Sequence, residues 1–224
     1  MQDGVSGRSV VIFGAGGALG AGVAEAFAAA GATVTGADKV VPPPSRRLDG
    51  VVYEALDVLD DGAVRGLLDS VTAPWAVLNT IGGFAPARPL AELDLAELTG
   101  QIELNLVTAA LVTKHALRVM QPIGEGRIVH TASRAGVVTS GSGFAYSVSK
   151  VGVLHLVSMA ADEVRGSGIT VNCVVPSIID TPANRHAMPK ANHDAWPKIA
   201  DIAQTYLFLA QPGSRLVNGA ALPV

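Results

Sequence analysis

The sequence predicts an α/β domain: a doubly wound parallel sheet of about seven strands with helices on both faces. Three observations carry that expectation. Short β-branched runs alternate with longer stretches rich in Ala and Leu, which is the pattern of strand–helix–strand units. A glycine-rich turn joins the first strand to the first helix, where such units bind anions. Chain breakers fall at the joins, at Val41-Pro42-Pro43-Pro44, Gln121-Pro122-Ile123-Gly124 and Gln211-Pro212-Gly213.

In chain order, strands are expected at 9–13, 33–37, 51–55, 76–79, 127–131, 170–175 and 220–222. Most are nearly continuous apolar runs, as strands covered on both faces must be. Helices are expected at 19–30, 95–120, 144–165 and 199–210, where Ala and Leu recur without proline. With 224 residues, of which 49% are hydrophobic, the chain can close one core, so 1–224 is expected to be a single domain with no repeat or linker.

The formal net charge is -3 and no run of Lys or Arg could track a phosphate backbone. Nucleic acid and membrane are therefore not expected as partners, and a small organic molecule is. The single cysteine, Cys173, excludes an internal disulfide and reads as a small core residue, which suits a reducing compartment. His115 and His155 sit in apolar helices without metal-ligand company, so they are expected to pack or to meet another subunit, and no metal site is expected. Residues 1–8 are polar rather than a signal peptide, and Ser, His, Gly and Thr interrupt every apolar stretch, which makes the cytoplasm the expected location.

Chemistry concentrates in two places. At the first, strand 9–13 runs into Phe13-Gly14-Ala15-Gly16-Gly17-Ala18-Leu19-Gly20 and then a helix. Glycines there let the backbone approach a pyrophosphate, and the helix start offers free N–H groups and a positive dipole end. Asp38 ends the second strand, 24 residues after Gly14, where a carboxylate can accept the adenosine ribose hydroxyls. It should repel a 2'-phosphate, so NAD(H) is favoured, with NADP(H) left open by Lys39 and Arg46.

At the second, Tyr146-Ser147-Val148-Ser149-Lys150 opens a helix, and the i, i+4 spacing sets the tyrosine hydroxyl and the lysine ammonium on one face. A neighbouring cation should favour the phenolate and bring proton transfer towards working pH. Ser133 lies 13 residues upstream, just past strand 127–131.

The glycine turn, Ser133, Tyr146-x-x-x-Lys150 and their spacing resemble the short-chain dehydrogenase/reductase family over nearly the whole chain. Further positions match in order: Asp57-Val58, Asn79-Thr80-Ile81-Gly82, Asn105, and a segment from Pro176 to Thr181 with Ser177 where the family has Gly. The resemblance implies a Rossmann-type fold and hydride transfer between a nicotinamide cofactor and a carbonyl or secondary alcohol, with Tyr146 as general acid/base. It implies Asn105, Ser133, Tyr146 and Lys150 as the catalytic set. Gly14, Gly16, Gly17, Ala18, Leu19, Asp38, Asp57, Val58, Asn79, Gly82, Tyr146, Lys150, Pro176, Ile179 and Thr181 would bind cofactor, the last two at the nicotinamide carboxamide. A homodimer or homotetramer paired through the long helices is implied as well.

Two departures stand out. Ala18 occupies the place of the family's middle glycine, a role expected to pass to Gly17, and the sequence stops at Leu222-Pro223-Val224, about where the family continues for a few residues. The run 180–189 and Trp196 look like the dihydropteridine reductases, so reduction of a quinonoid pterin is an alternative; Ser133, which those enzymes lack, favours a carbonyl. Further alternatives are a non-catalytic nucleotide-binding sensor and a sugar epimerase or dehydratase, for whose extra substrate domain 181–210 leaves little room. Phe84, Arg134, Arg185, His186 and Trp196 are expected to rim the substrate pocket.

Overall fold

In the computed structural model, which describes residues 4–84, 89–138 and 143–224, all the strands run parallel in one sheet. Among the described residues these are β1 (Ser9–Phe13), β2 (Thr33–Asp38), β3 (Val51–Ala55), β4 (Ala76–Asn79), β5 (Glu125–Thr131), β6 (Gly168–Val175) and β7 (Ala221–Pro223). Their order across the sheet is β3-β2-β1-β4-β5-β6-β7. The order reverses between β1 and β4, so a crevice opens at the carboxyl ends of those two strands, where doubly wound sheets bind ligands.

Helices α1 (Ala18–Ala29) and α7 (Ile199–Ala210) cover one face. Leu19, Val23 and Phe27 of α1 meet Ile202, Tyr206 and Leu209 of α7 over Val10, Ile12 and Leu78. Gly31, at φ +80, ends α1 in a left-handed turn, and its N–H and that of Ala32 satisfy the carbonyls of Ala28 and Phe27. The opposite face carries α2 (Asp61–Ser70), α4 (Thr108–Met120) and α5 (Phe144–Glu163). α2 falls outside the expected helices, because Gly62 and Gly66 dilute its pattern. Asp60 caps it by accepting from the Ala63 N–H, and Val64, Leu67 and Leu68 bury its inner stripe.

The expected single helix over 95–120 is three pieces: α3 (Leu95–Gln101), a π-helical turn over Ile102–Val107, and α4. Asn105 sits inside the π turn. A short α6 (Pro182–Ala187) follows β6, with Thr181 as its N-cap. α5 is long and apolar enough to cross a membrane, yet here Val153, Val157, Ala160 and Ala161 are buried as part of the core.

The end of the sheet away from the crevice is clamped by Trp75, whose ring meets the guanidinium groups of Arg8 (3.5 Å) and Arg127 (4.6 Å). Its Nε1 donates to the Ala210 carbonyl at 2.7 Å.

Candidate active site

The glycine turn is shaped by close approach. Gly14 has φ +87, and a Cβ there would lie 2.7 Å from Thr80 Oγ1 and 2.9 Å from the Ile81 nitrogen. A Cβ on Gly20 would lie 2.0 Å from the Gly14 carbonyl oxygen, whereas one on Gly17 would meet that atom at an ordinary 3.4 Å. The steric demand thus falls on Gly20, which the sequence expectation did not single out as a site residue. Gly17 serves as the residue before α1, and Ala18 and Leu19 form its first turn, which has no side-chain cap. Those N–H groups and the positive helix end are left for an anion.

The turn opens into a cleft of about 390 Å³ bordered by Gly14, Gly17, Asp38, Val58, Ile81 and Gly82. Asp38 is already oriented, since its Oδ2 accepts from the Gly16 N–H at 3.0 Å. Lys39 does not face it as a free cation; its Nζ pairs with Asp57 Oδ2 at 2.9 Å. The Leu59 N–H and then Lys39 hold the Asp57 carboxyl below its ordinary range. Glycine backbone that a Cβ would block, a helix start without a cap and a carboxylate at the end of β2 fit a dinucleotide.

Across the crevice, Ser133 follows β5 and Tyr146 and Lys150 lie in the first turns of α5, after Gly143 at φ +77. Ser133 Oγ accepts from the Ala135 N–H at 3.2 Å and lies close enough to the Tyr146 hydroxyl to act on it, and Lys150 Nζ stands 5.9 Å from the Tyr146 ring centre. Lys150 is 2% exposed and donates to the Thr131 carbonyl at 2.9 Å. Burial pushes its pKa down to about 8. The expectation that Lys150 lowers the Tyr146 pKa is not met in the cofactor-free protein. Burial raises that pKa and the Ser133 hydroxyl opposes the rise, while Lys150 Nζ stands 5.9 Å from the ring centre.

Asn105 is 1% exposed. Its Oδ1 accepts from the Gly83 N–H and its Nδ2 faces the Gly83 carbonyl, both at 3.2 Å, with Ser149 Oγ at 3.1 Å. Gly82 fits between: a Cβ there would lie 2.9 Å from Lys150 Nζ and 3.0 Å from Asn105 Oδ1. Gly82, Asn105 and Lys150 are thus brought together, and Asn79 holds the same turn through the Ile81 N–H. On the loop after β6, the Pro176 carbonyl accepts from the Arg134 N–H at 3.0 Å, the Ile179 carbonyl accepts from Asn184 Nδ2, and Thr181 Oγ1 accepts from the Asn184 N–H.

The expected pocket rim divides. Phe84 is 66% exposed and sets its ring edge-on to Tyr146 with centroids 5.1 Å apart. Arg134 and His186 are exposed. Arg185 is tied to Asp180, which also pairs with Lys198, and Trp196 is buried beside His193, so neither is a free rim group. His115 is buried and binds Asp61 at 2.8 Å, as a packing residue should, whereas His155 lies on the exposed side of α5.

A dinucleotide cradle facing a Ser, Tyr and Lys group defines a nicotinamide-dependent oxidoreductase of small molecules. Residues 14–224 match the family model described as enoyl-(acyl carrier protein) reductase. The chain is 35% identical to cis-4-hydroxycyclohexanecarboxylate dehydrogenase of Sinomonas cyclohexanicum, covering 100% of this chain and 97% of that one. It is 31% identical to the mitochondrial borneol dehydrogenase of Lavandula x intermedia, over 98% and 90%. The solved structure of levodione reductase superposes with a TM-score of 0.90 at 25% identity, over 98% of this chain and 96% of that one. The chain belongs to the short-chain dehydrogenase/reductase family, and its reaction is hydride transfer between a nicotinamide cofactor and an alcohol or carbonyl substrate. These relatives favour that reading over pterin reduction or a non-catalytic sensor.

Proposed function

We propose that this enzyme is an NAD(H)-preferring dehydrogenase of apolar carbocyclic secondary alcohols and the corresponding ketones. The observation that carries the reaction is the Tyr146 hydroxyl set beside Ser133, one helical turn from the buried Lys150 ammonium. When bound, the nicotinamide supplies or takes the hydride. Tyr146 gives the proton to the substrate oxygen in reduction and takes it in oxidation. Ser133 donates to that oxygen as its charge grows. Lys150, with a pKa near 8, replaces the Tyr146 proton and holds the nicotinamide ribose, and Asn105 anchors the water that resupplies it. Gly14, Gly16, Gly17, Ala18 and Leu19 would take the pyrophosphate, Asp57 and Val58 the adenine, Asn79 and Gly82 the inner ribose, and Pro176, Ile179 and Thr181 the carboxamide.

The cofactor preference rests on Asp38, held by the Gly16 N–H, and on Lys39 being engaged by Asp57. The substrate class rests on Phe84 against Tyr146 and on the exposed Val137, Val138 and Ile178 of the neighbouring loops. The relatives named for cyclohexane carboxylate, borneol and levodione support it. Val148, Val151 and Met159, exposed along α5, suit a homodimer or homotetramer, and the buried free thiol of Cys173 suits the cytoplasm.

The test is oxidation of cyclohexanol, borneol and linear secondary alcohols with NAD⁺ and NADP⁺. Higher kcat/KM for the cyclic alcohols with NAD⁺ is expected. A preference for linear alcohols or for NADP⁺ overturns the corresponding half.

A further inference from the structure

His130 is fully buried on β5 and takes no part in the reaction described above. Its Nε2 lies 2.8 Å from Thr113 Oγ1 on α4, and its Nδ1 lies 3.4 Å from Asn79 Nδ2 at the end of β4. Thr113 has one proton, and it is given to the Ala109 carbonyl at 2.8 Å. Thr113 Oγ1 therefore accepts from His130, which fixes the Nε2–H tautomer and leaves Nδ1 as an acceptor. Asn79 turns its Nδ2 donors to that acceptor, and its Oδ1 accepts from the Ile81 N–H at 3.1 Å. A flipped amide would set acceptor against acceptor at His130 and donor against donor at Ile81. One residue on, Gly82 leaves room for Lys150 and Asn105, since a Cβ there would lie 2.9 Å from Lys150 Nζ and 3.0 Å from Asn105 Oδ1.

We propose that His130 is a positioning residue for the cofactor site, fixing the Asn79 amide and through it the turn of residues 79–83 against Lys150 and Asn105. Only the neutral ring can do this, because a protonated ring would point a donor at Asn79. Burial keeps it neutral by lowering its pKa to about 4. The role rests on reading residues 79–82 as part of the cofactor site.

The two nitrogens can be tested separately. In His130→Asn a side-chain oxygen stands where Nδ1 stood and can accept from Asn79. His130→Gln places its amide where Nε2 stood, keeps the Thr113 contact and leaves Asn79 without its acceptor. Dissociation constants for NADH by fluorescence, with kcat and the KM values for cofactor and substrate, separate a positioning role from a packing one. His130→Gln and His130→Leu are expected to weaken NADH binding about tenfold, as for a lost buried hydrogen bond, with His130→Asn within about threefold of wild type. Substrate KM at saturating cofactor is expected to hold.

Equal NADH affinities for the Asn and Gln variants overturn the proposal, as does wild-type affinity in a destabilised His130→Leu. If the His130 variants do not fold, Thr113→Val decides, since it releases the tautomer and is expected to weaken NADH several-fold; unchanged affinity refutes the role. A wild-type protein that binds no nicotinamide cofactor would instead refute the site itself.

Discussion

Replacing Lys150 by Met should abolish turnover and make the cofactor-free protein more stable. The stem is kept and the charge removed. Burial lowers the Lys150 pKa from 10.5 to about 8, which corresponds to a penalty of about 3 kcal/mol for holding the charged form in the fold. Losing the hydrogen bond to the Thr131 carbonyl gives back about 1 kcal/mol, so the variant should gain about 2 kcal/mol at pH 7. The folded pKa is the lower one, so between pH 8 and 10.5 the unfolded chain binds more protons and wild-type stability rises with pH. Below pH 8 the penalty is complete, and above 10.5 it is gone. Urea unfolding of both proteins at pH 7 and pH 10, without cofactor, measures it. The difference should shrink at the higher pH. A variant less stable than wild type at pH 7, or a gain that ignores pH, refutes the argument that the lysine is held at a cost.

Tyr146→Phe should lower kcat by at least about a hundredfold while NADH affinity, read by fluorescence, stays within a few-fold of wild type, because the hydroxyl carries the proton and is not a main anchor of the cofactor. Ser133→Ala should lower ketone reduction by a similar factor, as for removal of an oxyanion donor. Asp38→Asn should raise the ratio of kcat/KM with NADPH to that with NADH by about tenfold or more, and steady-state kinetics in both cofactors checks it. Gly20→Ala should prevent tight cofactor binding, since its Cβ would strike the Gly14 carbonyl; calorimetry with NADH reads the loss.

The central strands were legible because β1, β4, β5 and β6 are compact apolar runs buried along nearly their whole length, and the edge strand β3, though largely exposed, keeps a β-branched composition. α2 was not, because its apolar stripe is short and glycine-diluted, and its start is signalled only by the Asp60 cap. The π turn at Ile102–Val107 has no composition of its own; it coincides with the tertiary contacts of the Asn105 amide. Ser133, Tyr146, Lys150 and Asp38 could be picked out because their residue types and spacing carry chemistry. Gly20 and His130 could not, since the first matters through a contact with Gly14 and the second through partners 17 and 51 residues away. Trp196 and Arg185 lie on the expected loop, yet Trp196 is buried and Arg185, though exposed, is engaged by Asp180.

A π turn closes i→i+5 bonds and so holds one residue more than an α-helix needs over the same turn. The long helix therefore carries a reversible change of length. Deleting a single residue within 102–107 would return the helix to regular pitch, leaving α3 and α4 in phase and Val112, Ala116 and Met120 in the core. Asn105, however, would be swung away from Gly83 and Ser149. The π turn thus sets where Asn105 stands, while the packing of α4 rests on Val112, Ala116 and Met120.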